Sequence, residues 1–125
     1  NVLRMEEWGV PDYYELVMVT SEEYLKSKPK IVEKFVRAVS KGYIDAIKDP
    51  AGGIEILKKH EPEIDVDIDK PGSLLLQFLW QDTNGKFGRQ TDDKWVEFAD
   101  WMKGKEILPQ NVNPQDAYTD KYSLK

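Results

Sequence analysis

Apolar residues along this chain fall mostly into runs with helical spacing, interrupted by one run of another kind. Leu16-Val17-Met18-Val19 is continuous and rich in strand formers. It predicts a strand buried on both faces, as in the middle of an α/β sheet. Val2, Leu3 and Met5 predict a second, short strand over residues 2–8, set off by the turn residues Gly9-Val10-Pro11-Asp12. After the apolar run, Thr20 with Glu23 three residues on makes a capping box for a short helix to about Lys26. Pro29 then opens a long helix, where its missing N–H costs nothing. Val32, Phe35, Val36, Val39, Tyr43, Ala46 and Ile47 share one face of it, with Lys34, Arg37, Lys41 and Lys48 largely off that face.

The remainder reads as further helices. Asp49-Pro50 is an N-cap followed by an N1 proline, and it starts a helix carrying Ile54, Ile56 and Leu57 to about Glu61-Pro62. Gly52 and Gly53 in its first turn weaken it by up to about 1 kcal/mol each relative to Ala. Ile64-Asp65-Val66-Asp67-Ile68 reads as an extended connector. Asp69 caps the next helix, with Pro71 in its first turn and Leu74, Leu75, Phe78 and Leu79 as its buried stripe. Residues 83–88 form a loop. Thr91 caps a last helix with Asp92 and Asp93 at the positive end of its dipole, and Trp95, Phe98, Ala99 and Met102 make its apolar face. Gly104 ends it, and Pro109 and Pro114 keep the tail irregular.

Composition narrows the function. The chain has 125 residues, 40% hydrophobic and 33% charged, which suits one folded domain and not a disordered segment. A net charge of -5 argues against a nucleic-acid binder. Without cysteine there are no disulfides, thiolate nucleophiles or thiolate metal sites, and with one histidine, His60, the usual base–nucleophile pairs are nearly absent. His60 alone makes a poor metal site. Glu61, Glu63, Asp65, Asp67 and Asp69 lack the glycine and closing Glu of a calcium loop and read as a solvated connector. No metal and no cofactor is expected, and no apolar run approaches the length of a membrane span. Asn1 in place of an initiator Met suggests that the chain begins inside a longer gene product.

Taken in order, these elements resemble a known family. Asp12-Tyr13-Tyr14 before an apolar strand resembles the hinge of the solute-binding proteins of ABC importers, in the branch that binds thiamine-pyrimidine precursors. Glu22-Tyr24-Leu25, the Pro29 entry and Lys41-Gly42-Tyr43 followed by Ala46 resemble its long-helix signature. Ile56-Leu57 with Glu61-Pro62-Glu63, Trp95 to Lys103, Ile107-Leu108 and Tyr118-Thr119-Asp120 resemble its later helices and tail. Gly52-Gly53 and Lys70-Pro71-Gly72-Ser73 depart from the pattern.

The resemblance implies an α/β fold of the type II periplasmic-binding-protein kind, represented here by a C-terminal part that is mostly helical with one or two strands. Residues 1–12 would end the second lobe and make the hinge crossing, and residues 13–125 would be the C-terminal part of the first lobe, an incomplete domain. It implies no enzymatic chemistry, a small heterocyclic ligand, ABC permease subunits as partners, an extracytoplasmic location and membrane attachment only through an upstream lipid anchor. A truncated chain would expose uncovered apolar faces and self-associate. Two alternatives stay open: an independent helical interaction domain, and part of a fungal-type thiamine pyrimidine synthase of the same fold.

The ligand-facing candidates are Asp12, Tyr13, Tyr14 and Glu15. Tyrosine rings stack on flat heterocycles while keeping a polar handle. Carboxylates accept hydrogen bonds from an exocyclic amine. Packing of either ring on the lobe, and capping of the turn by Asp12, are the competing readings.

Overall fold

In the computed structural model, which describes residues 3–82 and 84–123, regular structure is helical. The helices are α1 (Glu22–Ser27), α2 (Pro29–Lys48), α3 (Pro50–His60), α4 (Val66–Leu76) and α5 (Asp92–Gly104), with 3-10 turns at Met5–Trp8 and Pro114–Asp116. The β pairing among the described residues is one antiparallel bridge, Gln81 to Phe87. The chain divides into two units, Asn1–Ser21 with Gln90–Asp120, and Glu22–Arg89 with Lys121–Lys125.

The second unit is built on caps. Pro29 stands at the start of α2, and Asp49 accepts a hydrogen bond from the Gly52 amide (2.9 Å) to start α3, both as the sequence predicts. Two small, buried serines sit in this unit, Ser40 on α2 and Ser73 on α4. The Ser73 hydroxyl donates to the Lys70 carbonyl at 2.8 Å and reaches the Pro50 carbonyl at 3.4 Å, joining α4 to the start of α3. Lys70 also pairs with Glu55 across the same two helices and holds the Glu55 carboxyl below its ordinary range. Tyr43 of α2 stacks on Phe87 with ring centres 4.4 Å apart and meets Trp80 edge-on at 5.3 Å. The Phe87 loop is held by Asp82, whose carboxylate accepts from the Asn84 and Lys86 amides at 2.8 Å each.

The structure corrects the expected start of α4. It begins at Val66, not after Asp69, so Ile64–Ile68 is not simply an extended connector. The reason is a reciprocal cap: Asp65 accepts from the Asp67 amide at 3.1 Å, while the Asp65 amide donates to Asp69 at 3.0 Å. Two orphan donors are satisfied together. Pro71 therefore lies inside the helix rather than in its first turn. The predicted buried stripe is also corrected: Leu75, Phe78 and Leu79 are about three-quarters exposed and Leu74 nearly half. Helical spacing sets which residues share a face; it does not supply the surface that covers them.

The expected strands are absent among the described residues. Residues 5–8 form a 3-10 turn, closed by Gly9 in the left-handed region (φ 79°) with its amide donating to the Glu6 carbonyl. Val2 of that predicted strand lies outside the described residues. Leu16–Val19 has no ladder partner, and Leu16 and Val19 are 93% and 86% exposed. β-Propensity reports how well a residue fits a half-buried pleated surface, and no neighbouring strand is available here to make one.

In the first unit α5 carries the core: Ala99 is the buried apolar residue, flanked by half-buried Trp95, Phe98, Trp101 and Met102. Gly104 does not supply the reversal that ends the helix. The left-handed position falls on Glu106 (φ 59°), and the Ile107 and Leu108 amides fold back onto the Met102 carbonyl at 2.9 and 3.3 Å.

Candidate functional site

The four residues picked from the sequence lie in the first unit, three of them against α5 and its N-terminus. Thr91 occupies the cap position of α5 but makes no side-chain capping bond. Tyr14 takes up that end instead: its hydroxyl accepts from the Thr91 amide at 2.9 Å and lies 3.5 Å from the Thr91 hydroxyl. Lys94, in the first turn, donates to Asp12 at 2.6 Å and sits 4.8 Å from the centre of the Tyr14 ring. A cation over the face of a tyrosine is attracted by the ring's negative quadrupole.

Tyr13 stacks nearly parallel on Phe98, one helical turn further along, with ring centres 4.5 Å apart. Phe98 in turn stacks on Trp101 at 5.8 Å. Tyr13 and Tyr14 are both half-buried, while Asp12 and Glu15 are exposed. Among the described residues, Glu15 has no hydrogen-bond or ion-pair partner. The segment is therefore brought together on one helix, but its members differ in what they have left to offer. Tyr14 and Asp12 are engaged by α5, Tyr13 has one ring face on Phe98, and the Glu15 carboxylate is uncommitted.

Three further residues belong to the arrangement and were not singled out as site residues in the sequence. Trp95 lies 6.0 Å from Tyr14, ring centre to ring centre. Its other neighbour is Tyr118 from the tail, stacked at 5.4 Å with the planes 5° apart. The Tyr118 hydroxyl donates to Asp92 at 2.5 Å, and this bond, with burial, pushes its pKa up to about 12. Gln90 ties the ends together: its side chain accepts from the Trp95 indole N–H at 2.7 Å, and its amide donates to Asp120 at 3.2 Å. The sequence signal for Trp95 was its place with Phe98 and Trp101 on α5, which reads equally well as ordinary core, and no local pattern pointed to Gln90 or Tyr118.

No group of acidic, histidine or cysteine side chains among the described residues has metal-holding geometry. His60 sits in the last turn of α3, distant in sequence from this segment, and the carboxylates of Asp65 and Asp69 are spent on the α4 cap. Among the described residues, no helix is long and apolar enough to cross a membrane.

Comparison with known proteins adds an independent line. The family model described as NMT1/THI5 like matches residues 1–52, which include the Asp12–Glu15 segment and α2. A formylaminopyrimidine-binding protein of Halalkalibacterium halodurans is 29% identical over 118 residues, covering 90% of this chain and 36% of that protein. A riboflavin-binding protein, RibY, of Chloroflexus aurantiacus is 26% identical over 111 residues, covering 84% of this chain and 32% of that protein. The chain thus spans about a third of the length of the curated relatives it matches. The resemblance seen in the Asp12–Tyr14 segment and the helices after it is thereby shown as a likeness: over residues 1–52 this chain is similar to the NMT1/THI5-like family, and over most of its length to a formylaminopyrimidine-binding and a riboflavin-binding protein.

Proposed function

We propose that this chain is the C-terminal part of an extracytoplasmic solute-binding protein that carries a small, flat heterocycle to an ABC permease. It does no chemistry; the protein of which it forms part would close two lobes about a hinge. In this reading residues 1–12 end the second lobe and cross the hinge, residues 13–125 complete the first lobe of a type II periplasmic-binding-protein fold, and a lipid anchor lies upstream. Asp12, Tyr13, Tyr14 and Glu15 form one wall of the cleft. Tyr13 offers an aromatic face, Glu15 an acceptor for an exocyclic amine, and Asp12 and Tyr14 fasten the wall to α5.

The observation that carries this reading is the seating of the Asp12–Glu15 segment on α5, in a chain whose relatives are named for binding a formylaminopyrimidine and riboflavin. Both are flat nitrogen heterocycles, the shape an aromatic wall selects. One wall holds only part of the contacts. A site binding at about 1 μM has about −8 kcal/mol, and roughly half of that leaves millimolar binding.

The test is calorimetric titration with formylaminopyrimidine and with riboflavin. This chain alone should give no heat at micromolar ligand, and a form extended upstream should saturate with one of the two. Tight binding by this chain alone would overturn the partial-cleft reading, and failure of the extended form with both ligands would overturn the ligand class.

A further inference from the structure

The C-terminal tail is linked to the Asp12–Glu15 segment through the beginning of α5. Tyr118, Trp95 and Tyr14 make a three-ring series, with Trp95 in the middle. Each outer ring is bonded to the first residues of α5: Tyr14 accepts from the Thr91 amide, and Tyr118 donates to Asp92. Gln90, just before the helix, is held by Trp95 from one side and by Asp120 from the other. These contacts close a ring of interactions among residues separated in sequence by as much as the tail is from the first segment.

We propose that Tyr118 is a positioning residue: by stacking on Trp95 and bonding Asp92, it fixes the face of α5 on which Tyr14 and its neighbours are seated. This role deepens the binding reading above and rests on it only for the use made of the wall. The physical basis is rigidity of the middle member. An indole with one face on Tyr118 and its N–H on Gln90 has little rotational freedom, so the surface it turns toward Tyr14 is fixed. Without Tyr118, Trp95 loses its parallel neighbour and Asp92 its donor, and the Gln90–Thr91 amides are left to the remaining Tyr14 and Asp120 contacts. Tyr118 need not touch a ligand to set how well Tyr13 and Glu15 are presented.

The experiment is amide hydrogen exchange and indole N–H NMR on the full chain, without ligand. In Tyr118→Ala the Thr91 amide should exchange about tenfold faster, as expected when a stacked aromatic pair and a hydrogen bond are lost. The amides of α3 and α4 in the other unit should keep their rates. The Trp95 indole N–H resonance, assigned by its disappearance in Trp95→Phe, should move in Tyr118→Ala and stay near its wild-type position in Tyr118→Phe, which keeps the ring. A global rise in exchange would mean that Tyr118 serves stability alone, and would overturn the role. An unmoved Thr91 amide and indole resonance in Tyr118→Ala would overturn it too. Because no ligand enters the measurement, failure of the ligand reading leaves this result standing.

Discussion

Lys94 reaches two residues of the opening segment at once: its ammonium lies 2.6 Å from the Asp12 carboxylate and 4.8 Å from the centre of the Tyr14 ring. One cation thereby ties two candidate wall residues to the first turn of α5. The pair is solvated on the Asp12 side, which is 82% exposed, so its energetic worth is small. Lys94→Met should cost at most about 1 kcal/mol, and the loss should shrink as salt is added. Chemical denaturation at low and high ionic strength measures both. A cost of several kcal/mol that ignores salt would mean that Lys94 acts through packing of its aliphatic stem.

Tyr118 should titrate late. Its pKa is raised from 10.0 to about 12, first by the bond to Asp92 and then by burial. A raised folded-state value favours the neutral hydroxyl, so the stabilisation is complete below pH 10 and disappears as pH rises through about 12. Tyrosinate absorbance should include a phase near pH 12 worth one tyrosine. Asp92→Asn should bring that phase down. A late phase that survives in Asp92→Asn would assign it to another tyrosine.

Adjacent glycines in α3 should respond differently to alanine. A Cβ on Gly52 would lie 2.1 Å from the Asp49 carboxylate, forcing the capping side chain away. The cap is worth about 1 kcal/mol, close to what alanine gains over glycine in a helix, so Gly52→Ala should be nearly neutral. A Cβ on Gly53 meets Ala46 at 3.4 Å, an ordinary contact. Gly53→Ala should therefore stabilise the chain by up to about 1 kcal/mol. Thermal melts of the two variants give the order directly, and the reverse order would show that Asp49 does not depend on the space at Gly52.

Val17 separates the chain from the larger protein proposed for it. In this chain Val17 is 41% exposed and unpaired in any ladder. Val17→Asp should shift stability by no more than about 0.5 kcal/mol, the usual range for surface changes. In a form extended upstream, where the rest of the proposed first lobe could cover Val17, the same change should cost several kcal/mol through burial of an unpartnered charge. Equal effects in the two forms would argue against such cover at this position.

What was legible in the sequence was local. Pro29, Asp49 and the apolar spacing placed α2 and α3, because a cap and a periodic face are decided within a few residues. Residues 16–19 were not legible in the same way: four apolar residues state what environment they suit, and a strand exists only where another strand lies beside it. The start of α4 was missed because Asp65 and Asp69 both suit a cap, and only their mutual bonding distinguishes them. At the candidate site, aromatic and acidic residues marked Asp12 to Glu15. That Tyr14 completes the end of α5 depends on a pairing across most of the chain, which no local pattern encodes.

The division of the chain also sets an order in time. The first unit takes its opening residues from one end of the sequence and α5 with its tail from near the other, with Glu22–Arg89 between them. During synthesis from the N-terminus, the Glu22–Arg89 helices can form before α5 has been made, while the Asp12–Glu15 segment must wait for a partner not yet translated. Closing an intervening loop of about 70 residues carries an entropic cost of roughly 4 kcal/mol, which the contacts around Tyr14 and Trp95 must offset together. A ribosome stalled before residue 90 would therefore hold a nascent chain whose Asp12–Glu15 segment is made but unseated.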